Sequence, residues 1–254
     1  MISISITNNK GGVGKTTSAI NIGDAYLRMG KRVLFIDFDA QRSLSYEIVG
    51  DVEEPGDVVK ALKGELGIKK AITHTEHGDI LTSSPALAYM DDFFAEFEHL
   101  FVLQDLLATI RTDYDICIID LPPSMGKQTV SALLASNYAL IPIHTDIFSA
   151  QGLTQVCDVI KTVQRRSNPN LRILGVLITC HDARKVMNRQ MADELYRSAE
   201  TLGLHVFATK IRETIAVRES QACQQSVIEY APKSTAAQDY LSLVDEMEAR
   251  YGKA

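Results

Sequence analysis

No apolar run in this 254-residue chain approaches the ~20 residues that a membrane-crossing helix needs. No basic start followed by a long apolar stretch opens it, so no secretory leader is expected. Cysteine is scarce. Cys117, Cys157, Cys180 and Cys223 lie far apart and form no CxxC pair. That spacing offers neither a disulfide framework nor a thiolate metal site, and it suits a reducing cytoplasm. Internal repeats, low-complexity tracts and linker-like stretches are also missing, so residues 1–254 are expected to form a single domain. With 46% hydrophobic and 23% charged residues, the composition suits a globular protein with one sizeable core.

What the chain does have is the run Lys10-Gly-Gly-Val-Gly-Lys-Thr-Thr17. It follows an apolar strand pattern (Ile2–Thr7) and precedes a helical pattern (Thr16–Met29, stopped by Gly30). Strand, loop and helix in that order are the context a phosphate-binding loop requires. Glycines let backbone N–H groups converge on phosphate oxygens, and the following helix points its positive end at the same anion. Gly11, Gly12, Val13, Gly14, Lys15, Thr16 and Thr17 are therefore the expected ATP-binding residues. Lys15 reaches the terminal phosphates, and the Thr16 hydroxyl is a ligand for Mg²⁺.

Strands and helices alternate along the rest of the chain. Strands are expected at 32–37, 79–82, 114–121, 139–143, 172–179 and 206–211. Helices are expected at 55–62, 91–110, 128–134, 151–164, 184–201 and around Tyr240–Met247. This is an α/β pattern, a mostly parallel twisted sheet with helices on both faces. In such sheets ligands sit beyond the carboxyl ends of the strands. Two acidic groups fall there, Asp37 and Asp39 in DFDAQRS and Asp120 in YDICIIDLPPS. Carboxylates in these places hold the water shell of Mg²⁺ or orient an attacking water.

The loop departs from the ordinary pattern. Asn9 stands where a glycine usually does, and a second lysine, Lys10, precedes the glycine pair. This K-G-G-x-G-K-T form resembles the deviant Walker A motif of the ParA/MinD family of ATPases. The resemblance covers most of the chain. DFDAQRS is similar to the family's D-x-D-P-Q-G, YDICIIDLPPS to its Walker B strand, and GVLITCHDARKVMNRQMADEL to its G-V-L-x-T-x-x-D-x-R segment. It implies a P-loop ATPase using ATP and Mg²⁺, with Lys10 acting on phosphate across a nucleotide-sandwich homodimer. By position, Asp39 matches the carboxylate that polarises the hydrolytic water. Thr16, Asp37 and Asp120 would form the metal side, the carboxylates acting through water. The departures are Ala40 for proline, Arg42 for glycine and Arg212 for proline in the late loop that closes over adenine in the family. The absence of paired cysteines separates the chain from iron–sulfur relatives in the superfamily.

The net charge of −6 hides an asymmetry. Residues 161–233 carry +5 and the remainder −11. A basic segment in an acidic protein is a candidate footprint for nucleic acid. Resemblance to ParA-type proteins implies ATP-dependent binding of nonspecific double-stranded DNA through Arg184, Lys185, Arg189, Lys210, Arg212 and Arg218. It also implies a ParB-like centromere-binding partner that stimulates hydrolysis, and a cytoplasmic, nucleoid-associated protein of plasmid or chromosome partition. The closing helix carries Asp245, Glu246 and Glu248 on its polar face, so a membrane partner is not expected. A positioning ATPase for a protein cargo and a metabolic ATP-dependent enzyme on the same fold are the alternatives.

Overall fold

The computed structural model describes residues 1–51, 57–146, 149–182 and 184–251, with backbone alone for 186–189. Strand β1 (Ile2–Ile6) leads into the glycine loop and helix α1 (Lys15–Arg28). β2 (Val33–Asp37), α2 (Ser43–Val49), α3 (Val58–Leu62), α4 (Ile68–Ala71), β3 (Ile72–Thr73) and β4 (Asp79–Leu81) follow. Three 3₁₀ turns between Pro85 and Phe101 connect to α5 (Val102–Thr109) and β5 (Ile116–Asp120). Next come α6 (Lys127–Leu134), β6 (Tyr138–His144), α7 (Ser149–Arg166), β7 (Arg172–Thr179) and α8 (Val186–Leu202). α9 (Ile215–Ala222), α10 (Val227–Tyr230) and α11 (Thr235–Glu248) complete the described elements.

The sheet order is β3-β4-β2-β5-β1-β6-β7. Every pairing is parallel except β3 with β4. Successive residues on a strand face opposite sides, and here both sides are covered. Ile116 and Ile118 pack with α1 and α11, whereas Cys117 and Ile119 pack with α3 to α6. A third cluster joins Ile141, Val176 and Ile178 to α7 and α8. The fold class is therefore the doubly covered parallel sheet expected from the sequence.

α1 lies close to the sheet because Gly23 faces Phe35. A Cβ at Gly23 would come within 2.1 Å of the ring. The helix ends where Gly30 takes a positive φ of 75° and its N–H bonds the Leu27 carbonyl at 2.9 Å.

Several expectations need correction. The segment 206–211 is no strand. It follows β7 through isolated bridges, Val176 with Val206 and His181 with Arg212, because Phe207 packs over Gly175 and the chain leaves the ladder between them. Of the one or two helices expected over 91–110, the α-helix begins only at Val102, after 3₁₀ turns in which Phe93 stacks on His99. The helix expected from Arg184 starts at Val186, since Asp182 accepts the Arg184 N–H in a local turn. Of the helix expected over 55–62, the described part is α3, capped by the Asp57 side chain on the Val59 N–H; residues 52–56 lie outside the described residues. α2 was not anticipated.

Gly23→Ala is expected to cost on the order of 3 kcal/mol, since neither α1 nor the Phe35 ring has room to retreat. Gly67→Ala, whose Cβ meets nothing within 4 Å, is the control and should change stability by less than about 0.5 kcal/mol. Urea denaturation of the two variants checks this.

Candidate active site

β1, β2, β5, β6 and β7 all end at one edge of the sheet, and the glycine loop crosses that edge. Gly12 and Gly14 have φ of 72° and 81°, conformations that a Cβ would strain. Val13 between them is buried and pins the loop to the core. Its carbonyl accepts a 2.9 Å hydrogen bond from Thr179 Oγ1 at the end of β7. Gly14 serves as the N-cap of α1 without any side-chain cap, so the first amides of α1 keep their donors for a ligand. Ideal Cβ atoms at Gly11 and Gly12 meet nothing within 4 Å, so the loop opens outward.

Lys15 is nearly fully buried, and its Nζ donates to the Lys10 carbonyl at 2.9 Å. Burial lowers its pKa, opposed by the nearby negative charges of Asp120 and Asp39. Thr16 Oγ1 donates to Asp120 Oδ2 at 2.6 Å. Asp120 Oδ1 is buried with no hydrogen-bond partner. Burial and the neighbouring Asp37 hold the Asp120 carboxyl well above the usual carboxylate range. The two aspartates face each other in register across β2 and β5.

Asp37, expected on the metal side, is bonded within the chain. Its Oδ2 accepts from the Ser45 N–H (2.8 Å) and hydroxyl (2.7 Å), and its Oδ1 accepts from the Asp39 N–H (3.1 Å). Burial pushes it up to about 6 despite these bonds. Asp37 thus fastens α2 and the Asp39 loop to the end of β2. Asp39 Oδ1 accepts only the Gln41 N–H, at 3.0 Å, among the described residues.

Lys10 forms an ion pair with Asp146, the two side chains 45% and 29% exposed. The pair is intramolecular and lies on the rim of the site. Asn8 shapes this corner, its amide donating to the Pro142 carbonyl and its Oδ1 accepting the Lys10 N–H. The hydroxyl of Thr17 accepts from Gln221 Nε2 at 3.0 Å, which ties α9 to the start of α1.

The residues expected to meet DNA each have intramolecular partners where described. Arg184 pairs with Asp182, and Lys185 and Arg218 both pair with Glu213. Lys210 lies over the Tyr196 ring, 5.4 Å from its centroid. Arg212 grips Asp239 through Nε and a terminal nitrogen, an ion pair that fastens the late segment to α11. The Arg189 side chain lies outside the described residues.

Residues 1–173 match the family model described as an AAA domain. The sporulation initiation inhibitor protein Soj of Bacillus subtilis is 31% identical, over 97% of this chain and 98% of that protein. The chromosome partitioning protein ParA of Caulobacter vibrioides is 32% identical, over 97% and 94%. The chain belongs to the ParA/MinD family of ATPases. Among solved structures, cobyrinic acid a,c-diamide synthase from Mycobacterium smegmatis with bound ADP and magnesium superposes with a TM-score of 0.86. It is 28% identical and covers 99% of this chain and 96% of its own.

The ParA/MinD family uses Mg-ATP, and the residues present fit that pair. The buried Asp120 Oδ1 without a partner, beside the Thr16 hydroxyl, offers the hard oxygen donors that Mg²⁺ takes, directly or through water. The open glycine loop with uncapped amides fits the phosphates. Sequence reading missed Ser45, Thr179 and Gln221. Thr179 carries a usable signal, a polar side chain at the carboxyl end of an apolar strand. Ser45 and Gln221 carry none, since their partners are set by tertiary packing.

Thr179→Val should keep the volume and remove the single Oγ1 proton shared between the Val13 and Ile143 carbonyls. A loss of about 1 kcal/mol in stability and a several-fold weaker affinity for ADP are expected, measured by thermal melting and calorimetric titration.

Proposed function

We propose that this chain, acting as one P-loop domain, is a Mg-ATPase of DNA partition that works as an ATP-dependent homodimer on nonspecific double-stranded DNA. The observation that carries the reading is the deviant loop. Lys15 points into it, while the second lysine, Lys10, sits half-exposed on its rim. An exposed ion pair such as Lys10–Asp146 is worth less than about 1 kcal/mol, so Lys10 exchanges Asp146 for a phosphate at little cost. Nearly full-length similarity to Soj and ParA supports the same reading.

The chemistry follows from the residues. The amides of Gly11 to Thr17 and the Lys15 ammonium bind the phosphates of ATP. Thr16 and Asp120 hold Mg²⁺, which supplies charge neutralisation on the phosphate oxygens. Asp37 keeps Asp39 in place through its N–H. Asp39 orients a water whose oxygen attacks the γ-phosphorus as the bond to the ADP oxygen breaks. Lys10 of the second subunit stabilises the charge that develops, as an arginine finger does. In the dimer, the exposed cations Arg184, Lys185 and Arg218, with the half-buried Lys210 and with Arg189, would be doubled on one assembly. Their surface ion pairs are weak enough to exchange for DNA phosphates. Arg212 belongs to the same segment, but its charge is already met by Asp239. A ParB-like protein at a centromere-like site is the expected stimulating partner, and the nucleoid the expected location.

A second reading is a metabolic ATP-dependent enzyme, favoured by the similarity to cobyrinic acid a,c-diamide synthase. Binding of random-sequence duplex DNA with ATP, ADP or no nucleotide, at two salt concentrations, separates the readings. ATP-dependent, salt-sensitive binding is expected. No binding in any state would sink the partition reading and favour the metabolic or cargo-positioning one. Lys15→Ala should abolish ATP binding, while Asp39→Ala should bind ATP and lose at least about 100-fold in turnover. Normal hydrolysis by Asp39→Ala would remove Asp39 from its water-orienting role.

A further inference from the structure

Arg42 is the N-cap of α2 and adopts φ 60°, ψ 25°, the left-handed conformation that glycine takes without strain. A residue with a Cβ gains nothing there from the backbone. The half-buried Arg42 side chain gains no hydrogen-bond or ion-pair partner among the described residues either. Nε is buried and unbonded, and among the described residues no carboxylate stands within ion-pair distance of the guanidinium. Arg28, Arg32, Arg184, Arg212 and Arg218 all have such a partner. A strained backbone beside a buried donor that lacks a partner calls for an explanation, and a bound ligand supplies one.

Its position says which ligand. The Arg42 N–H bonds the Asp39 carbonyl at 2.9 Å, closing a four-residue turn that keeps the two Cα atoms within about 7 Å. Asp39 is close enough to Lys15 to act on its charge. Behind the turn, Ser45 anchors α2 to Asp37, so the turn is held against the nucleotide edge. Three carboxylates and Lys15 already occupy that edge, and an ATP terminal phosphate would add negative charge on the Asp39 side. A guanidinium fork matches phosphate oxygens.

We infer that Arg42 contacts the γ-phosphate of ATP bound to its own chain, and that its unmet donors make the site prefer ATP to ADP. The inference rests on the ATPase reading above. Arg42 would replace, in this chain, a contact that glycine at the same position in the family motif does not supply.

The test compares Arg42→Gly and Arg42→Lys with the natural chain. Thermal melting without nucleotide, titration with ADP and with the slowly hydrolysed analogue AMPPNP, and steady-state kcat and KM are measured. Arg42→Gly should melt at or above the natural temperature, because glycine accepts the left-handed cap. It should bind ADP within twofold of the natural chain, yet bind AMPPNP at least tenfold more weakly and lose at least tenfold in kcat. Arg42→Lys should recover part of the AMPPNP affinity. An unchanged AMPPNP-to-ADP ratio with normal kcat in Arg42→Gly would overturn the inference. So would an equal loss of both nucleotides, which would mark Arg42 as merely structural. A natural chain that binds neither nucleotide would defeat the ATPase reading itself, and this inference with it.

Discussion

Two buried carboxylates ending neighbouring strands in register, Asp37 and Asp120, are the constraint around which the rest of this molecule is arranged. Burial raises the pKa of both carboxyls, and the charge of Asp37 adds to the shift of Asp120, so the pair needs compensation. The structure resolves the conflict unequally. Asp37 is saturated by N–H and O–H donors from its own strand end and from α2, which makes it an anchor. Asp120 receives one hydroxyl and keeps one oxygen bare, which makes it a receptor for positive charge. The division of labour between anchor and receptor leaves a bare carboxylate oxygen beside the Thr16 hydroxyl at the sheet edge.

That anchoring connects distant parts of the chain. α2 is tied to β2 through Ser45 and to the late segment through Gln224, whose amide donates to the Tyr46 carbonyl. The late segment in turn grips α1, through Gln221 to Thr17, through the Val227 N–H to Asn21, and through Ser226 to Asp24. This continuity joins the Asp39 loop, α2, the late segment and α1 through hydrogen bonds of 2.7 to 3.0 Å.

Charge reading from sequence alone was the least informative part. The +5 of residues 161–233 is real, but Arg212 is met by Asp239, an acid outside the segment, while Lys185 and Arg218 share Glu213, already in the count. A count of charges in a segment says nothing of acids contributed by other segments. Where those pairs are exposed they remain exchangeable, and where one partner is buried, as Asp239 is, the cation is committed.

By itself the sequence determined the phosphate loop, its strand and helix, the doubly covered parallel sheet and the positions of Asp39 and Asp120. These depend on local signals: glycine spacing, apolar runs buried on both faces, and carboxylates at strand ends. Even the departures at Asn9, Lys10 and Arg42 are visible as letters. Only the tertiary structure decided what those letters do. It paired Lys10 with Asp146, bonded Asp37 to Ser45, hung the loop on Thr179, and left the Arg42 Nε buried without a partner among the described residues. The reason is common to the first three. Each depends on a residue brought near by packing, across sequence separations from eight residues to well over a hundred, and no periodicity in the chain encodes which distant polar group will meet which.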